Sequence, residues 1–597
     1  MTKLFSRLPT AAGLGGLSLL VSSGVLATDR LGPINITATR EAPSIAPSMP
    51  ETVITRDEIE RSQATSLQEL LAGQAGLVVS NQGGDGKVSN VSIWGQNARA
   101  TAVFLDGIRL GSVSLGQTYL EHIPLTQIER IEVLRGPRSG QWGADAGGGV
   151  IQLFSRRGTT DGTRVSGGVG AGSRGQRALD ATVAGRNGAW DYSVGVAHRE
   201  SDGFDAQSAE STSDDADGYV NDSVNLNTGY RFGDGGHLRG HFLATSAETE
   251  FDGAFQDRSE VERRSFGLST ASGRLGFWQL RARAGRHIDD QDIYKEELLV
   301  FRFDTQRDTL FIANDFYLGE STTVTLGADQ TYDKLSSSVD YEEDSRRNQA
   351  LFGQLNSRWG NLDLQLALRR DFNEQFGTAN TGSLDLAYAL TDTWTLTAGH
   401  GTAFNVPSFG LLYYPGYSNP DLQPERTRTT RIGAEWSEGL WTIATTAFRS
   451  KARDFIAPGD NPENIDRGVI RGAEIEAGLS EEAWRTSIAL TYLPTENETT
   501  GERMPKQPRW SGRLNLDRQL GVFSLGASLR GRSGSYGGAY SDDNHGYLAA
   551  DLRGTYRINA DWRLEARVEN LFDRDYQVVD GYNQAPRGLF VGLRYGR

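Results

Sequence analysis

Near the C-terminus the run Asp561 to Val568, DWRLEARV, alternates without a break. Trp562, Leu564, Ala566 and Val568 are apolar, while Asp561, Arg563, Glu565 and Arg567 are charged. A period of two puts these sets on opposite faces of a β-strand. Two kinds of protein use such a strand. In a soluble sandwich the charged face meets water; in a membrane barrel the apolar face meets lipid and the charged face a wet lumen. The pattern recurs at Trp190, Tyr192, Val194 and Val196, at Leu362, Leu364, Leu366 and Leu368, and at Trp394, Leu396 and Ala398. It returns at Phe523, Leu525, Ala527 and Leu529, and at Leu589, Val591, Leu593 and Tyr595. Aromatic residues often begin or end these segments, as an interfacial girdle requires. Residues 159–597 keep this texture without a linker, which is too long for one soluble core. Strands of about ten residues with their connections would number around twenty. The reading is an all-β membrane barrel of antiparallel strands. Its mean hydropathy of -0.46 is compatible, because a barrel hides its lipid face in alternation.

Residues 1–27 differ in kind. Lys3 and Arg7 precede an uncharged, small and apolar run ending in Val25-Leu26-Ala27, the form of a secretory signal peptide. Residues 28–50 carry Pro33, Pro43, Pro47 and Pro50 and read as an extended tail. Residues 51–158 read as a compact α+β domain, with a strand at Val53 to Thr55, a helix from Asp57 and a second helix capped by Thr65 or Ser66. The chain holds no Cys, which excludes disulfides, thiolate metal sites and Cys nucleophiles. Its net charge of -15 argues against a nucleic-acid partner and suits divalent cations. There is no nucleophile placed beside a base, so no enzymatic activity is expected. Gly170-Ala171-Gly172-Ser173-Arg174-Gly175 matches a dinucleotide fingerprint, but with barrel strands on either side it reads as a turn.

Several motifs follow in order: Leu105 to Leu110, Ile128 to Gly136, Arg135-Gly136-Pro137-Arg138-Ser139, Trp142 to Ala146 and Gly148 to Ile151. Further on come Gly401 to Phe404, Asn419 to Glu425 and Glu569 to Tyr576. Together they resemble the TonB-dependent outer-membrane transporters, and more narrowly the cobalamin transporters among them, over nearly the whole chain after residue 27. The resemblance implies a 22-stranded barrel closed by an N-terminal plug, here residues 51–158. It implies bacterial outer-membrane lipid as surroundings and a TonB-like energy-transducing partner. Ile34, Asn35, Ile36, Thr37 and Ala38 resemble the TonB box, which pairs with that partner by strand addition.

The acidic loops then gain a meaning. Oxygen ligands crowded on a loop suit Ca²⁺. An EF-hand does not fit, because its twelfth position would be Val224. The cobalamin transporters bind two calcium ions through loops at this place in the chain. The resemblance carries that role to Asp205, Ser213, Asp215, Asp217, Phe251 and Asp252, with Asp257, Glu260 or Glu262 as the last ligand. It also makes Val88, Asn90, Asn97, Val113, Ser114 and Gly253 substrate contacts, with Tyr413, Tyr414 and Tyr417 as barrel-side candidates. The expected function is active uptake of cobalamin or a related corrinoid. A siderophore or haem receptor on the same scaffold is the alternative, as is an adhesin or phage-docking barrel. A surface lipoprotein, a phage or a colicin stays open as a further partner.

Overall fold

The structure, a computed structural model, describes residues 51–207, 215–457, 462–497, 501, 503–504, 506–537 and 543–596. The signal segment, the tail, the box from Ile34 to Ala38 and Ser213 lie outside the described residues.

The N-terminal domain begins with β1 (Glu51–Thr55), which runs into α1 (Arg56–Ser62). Thr55 accepts from the Glu58 amide while the Glu58 carboxylate accepts from the Thr55 amide, a reciprocal cap. Ser66 caps α2 (Leu67–Leu71), and Glu69 reaches back to the Thr65 amide at 3.0 Å. A hairpin of β2 (Leu77–Asn81) and β3 (Ser89–Ile93) follows. β4 (Thr101–Leu105), β5 (Ile108–Arg109), β6 (Ile128–Arg135), α3 (Ser139–Trp142) and β7 (Gly149–Ser155) complete the domain. The sheet order is β1-β6-β7-β4-β5, with β4 and β7 parallel. Leu67, Leu71, Ile93, Leu105, Ile128 and Ile151 are fully buried between this sheet and the short helices. That apolar burial is what makes so short a set of elements stable.

After β7 the chain forms a closed antiparallel barrel of twenty-two strands, counting as one the strand broken at Pro494. The last strand, Gly588–Tyr595, pairs with the first, Gly162–Gly172, so no edge is left open. Within the run 170–175, residues 170–172 end the first strand and residues 173–175 open the turn to the second, with Arg174 and Gly175 at positive φ.

The two faces of the strand Trp562–Glu569 meet different surroundings. Leu564 is 40% exposed, as are Leu589 and Val591 in the neighbouring strand at 50% and 40%, and all three face outward. Arg567 is 3% exposed and points into the lumen, where its Nη1 donates to Gln63 O at 2.6 Å and Glu69 Oε2 at 3.0 Å. The charged face thus meets a folded plug rather than open water.

The two ends of the barrel differ. Trp190, Trp359, Trp394, Trp441, Trp484, Phe523 and Trp562 gather beside the short turns of one end. Longer excursions occupy the other, including the hairpin of strands Trp278–Lys295 and Leu298–Leu318, which far exceeds a membrane crossing. Short turns face the periplasm in such barrels, and long loops the exterior. β1 and α1 sit at the short-turn end, where Arg485 Nη1 pairs with Asp57 Oδ2 at 2.9 Å.

The plug is locked to the wall by buried charge. Arg135 pairs with Glu474 at 3.0 Å and Glu476 at 2.6 Å, and Trp94 stacks on Phe448 at 4.1 Å. Gly136, at φ 87°, lies against the Trp94 ring, which a side chain could not share. Arg138 bonds Asp385 at 2.9 Å, and Gln141 donates to Gln365 at 2.8 Å. The motif from Arg135 to Trp142 is therefore one buried contact strip between plug and barrel.

Candidate ligand and metal site

At the long-loop end a cavity of about 530 Å³ opens between plug and barrel. Its floor is plug: Lys87, Val88, Ser114, Tyr119, Glu121 and His122. Its walls are barrel: Phe251, Asp252, Arg263, Phe303, Tyr414 and Tyr417 among others. The volume lies within the usual span of ligand pockets. Aromatic and charged groups together suit an amphipathic ligand.

Of the expected substrate residues, Val88 is exposed into this cavity and Ser114 lines it. Val113 turns away and packs with Leu335 and Phe409 beneath the floor. Asn97 accepts from the Arg99 amide at 3.2 Å and caps a short turn. Asn90 belongs to β3, and the Gly253 carbonyl accepts from Lys295 at 3.0 Å; neither lines the cavity. Tyr413 stands behind the wall, where Gln375 donates to its hydroxyl at 3.2 Å.

The acidic loops meet on the rim. One loop joins strands Trp190–Ser201 and Tyr219–Arg231, and the next joins His237–Glu250 and Arg258–Ala271. They bring one carboxylate oxygen each from Asp205, Asp217 and Asp252 within 4.8 Å of one another. Ca²⁺–oxygen distances of 2.3–2.6 Å let two ligands of one ion stand up to about 5 Å apart, so the three fit a calcium sphere. Asp217 is tied down by the Ala206 amide, which donates to Oδ2 at 2.9 Å. Burial, with Asp252 and Asp215 adding their charge, pushes the Asp217 carboxyl up to about 6 against the pull of that amide and of Lys87. Asp215 is exposed beside it. Phe251 lines the cavity through its position next to Asp252. Asp257 is engaged elsewhere: it accepts from the Glu296 amide at 2.9 Å and lies 3.5 Å from Lys295 Nζ. Glu260 pairs with Arg258 at 2.6 Å, and Glu262 lies 3.6 Å from Arg264.

The plug holds the rim from below. Lys87, 3% exposed, donates to the carbonyls of Asp217 at 3.0 Å and Gly218 at 3.4 Å. Burial lowers its ammonium to about 8, although Asp217 and Asp85 favour the charge. Gly86, at φ 71°, is flush with the Tyr219 ring, so the plug loop packs directly on the strand that follows Asp217.

Among the floor and wall groups that escaped the sequence reading are Tyr119, Glu121, His122 and Arg263. Arg263 is held by Asp289 at 3.0 Å and sits over Tyr119 at 5.5 Å. Burial lifts the Glu121 carboxyl to about 7, against Arg263. Alternation assigns Arg263 to the lumen, but nothing in the spacing says that plug residues 119–122 rise to meet it.

Comparison with known proteins agrees with this architecture. The family model described as "TonB dependent receptor-like, beta-barrel" matches residues 141–571, and "TonB-dependent Receptor Plug Domain" matches residues 45–150. The chain is 27% identical over 574 residues to a protein of Photobacterium profundum named "Vitamin B12 transporter BtuB", covering 92% of each. A protein of the same name from Vibrio vulnificus is 26% identical over 562 residues, covering 88% of each. Among solved structures, the copper transporter OprC superposes with a TM-score of 0.81 at 18% identity, over 93% of this chain and 100% of that one. A mutant of the ferric enterobactin receptor PfeA from Pseudomonas aeruginosa, in complex with enterobactin, does so at 0.78 and 20%, over 92% and 99%; both show the fold alone. The chain belongs to the TonB-dependent receptor family, and is a bacterial outer-membrane transporter that works with a TonB partner and not an enzyme.

Proposed function

We propose that the cargo is cobalamin or a related corrinoid, and that Ca²⁺ held by Asp205, Asp217 and Asp252 orders the outer loops around it. The observation that carries this is the convergence of three carboxylates from two barrel loops on the rim of a cavity floored by the plug. Unneutralised, the three repel one another; one divalent ion removes that repulsion and joins the two loops. Lys87 and Tyr219 then couple the rim to the plug, so that loop order reaches the floor. The relatives named vitamin B12 transporters, which align over nearly the full chain, support the corrinoid. The segment Ile34 to Ala38 serves in this reading as the strand offered to the TonB partner.

Titrating the purified protein with cyanocobalamin, cobinamide and a ferric siderophore, each with and without EDTA, tests it. Corrinoid binding that weakens on chelation is the expected result. Siderophore binding with no corrinoid affinity would replace the reading with the iron-receptor alternative.

A further inference from the structure

His122 lies on the cavity floor, and its hydrogen bonds decide which ring nitrogen carries the proton. Tyr219 Oη donates to the Glu121 carbonyl at 3.2 Å, which uses its one proton. Asn221 Nδ2 donates to the His122 carbonyl at 3.2 Å, an acceptor that settles the amide's orientation. The same NH₂ group donates to Tyr219 Oη at 2.7 Å. Toward His122 Nδ1, 3.3 Å away, the hydroxyl therefore has only a lone pair to offer. Nδ1 carries the proton and donates. Burial, with Arg263 and Lys87 nearby, holds the imidazole well below its ordinary pKa, so the ring is neutral. A neutral imidazole has a single N–H, which leaves Nε2 as a bare acceptor. Among the described residues Nε2 makes no hydrogen bond; Glu121 Oε1 stands 3.8 Å away, beyond bonding distance.

A ring held through Nδ1–H with Nε2 free is how proteins present imidazole to a metal. We infer that His122 Nε2 is an axial ligand for the metal of the cargo, the cobalt of a corrinoid that carries an exchangeable water. The inference rests on the corrinoid reading above and narrows it to a class. In the binding step the cobalt–water bond breaks and water leaves. The Nε2 lone pair forms the new bond, and cobalt remains Co(III). No proton is released, because the ring is already neutral and Nδ1–H stays on Tyr219. Corrinoids with a water-occupied axial position are thus favoured over those with both positions filled. Tyr219 follows Asp217 by two residues, so the strand that leaves the acidic rim also sets the direction of the imidazole.

The full-length protein in detergent is mixed with diaquocobinamide and, separately, with dicyanocobinamide and cyanocobalamin. The visible bands of diaquocobinamide should move to those of a nitrogen-ligated species, while the two cyano forms keep theirs. With cob(II)inamide, the electron paramagnetic resonance lines should split into three, and into two when the histidines carry ¹⁵N. His122→Gln, shown to be folded by its heat-modifiable migration, should lose the splitting and bind diaquocobinamide at least tenfold more weakly. A bound diaquocobinamide with an unchanged spectrum, or the same splitting in the variant, overturns the inference. If cyanocobalamin binds and the cobinamide spectrum does not move, the inference alone fails. If no corrinoid binds, the transport reading fails and takes the inference with it.

Discussion

Asp217 is held against its own neighbours. Burial and the charges of Asp252 and Asp215 work against its ionised form, and a divalent cation would reverse the balance. Replacing Asp217 or Asp252 by Ala is expected to abolish the calcium dependence of corrinoid binding and raise the Kd at least about tenfold, read by titration calorimetry with and without EDTA. Glu69 shows the opposite environment. Burial alone would raise its pKa, but Arg567 at 3.0 Å, Arg530 at 3.7 Å and the Thr65 amide bring it down to about 2. A folded value below the unfolded 4.5 means the contribution is complete above pH 4.5 and is lost as pH falls toward 2. Glu69→Gln should therefore weaken plug docking at neutral pH by on the order of 2–3 kcal/mol. It should also flatten the pH response between 4.5 and 2. Amide hydrogen exchange across residues 67–71 measures both.

Elements here are stabilised by what lies on each side of them. α2 has only five residues and could not persist alone. Ser66 caps its start, and Arg513 from the barrel donates to the carbonyls of Glu69, Leu70 and Ala72 at its end, at 3.1, 3.2 and 3.3 Å. The first cap is legible in the sequence; the second comes from more than four hundred residues away and is not. Barrel strands depend in the same way on two different media. In the strand Leu362–Asn373, Leu366 faces outward beside Leu384 while Gln365 and Ala367 are buried in the lumen. Leu366→Arg should cost about 2–4 kcal/mol in a lipid-refolding titration, the cost of a cation near the bilayer midplane. A loss well below that would mean this face does not meet lipid.

At the scale of the whole molecule, the barrel supplies a closed wall and the plug fills it. The contact strip from Arg135 to Trp142 joins them through Glu474, Glu476 and Asp385. Charges buried in this way are costly to separate, about 3–5 kcal/mol when one partner of such a pair is removed, so movement of the plug needs outside work. In this family that work comes through the TonB partner. Deleting residues Ile34 to Ala38 should abolish uptake of labelled cyanocobalamin while surface binding stays within about twofold of the intact protein. Uptake that survives the deletion would place the coupling segment elsewhere.

Strand faces and the family could be read from the chain because their signals are local. A period of two assigns each side chain to lipid or lumen without knowledge of any other strand, and the glycine and arginine motifs sit in unbroken runs. The ligand site is another matter. Asp205, Asp217 and Asp252 are named together only through the family resemblance and meet because two loops of the barrel fold over one rim, and Tyr119 and Arg263 meet because the plug rises to a particular depth. Asn97 and Val113 keep their place in the chain yet do not line the cavity, since side-chain direction in a loop has no period to follow. Which groups face one another across a lumen is decided by closure, register and plug depth, and these are long-range quantities that only the assembled structure contains.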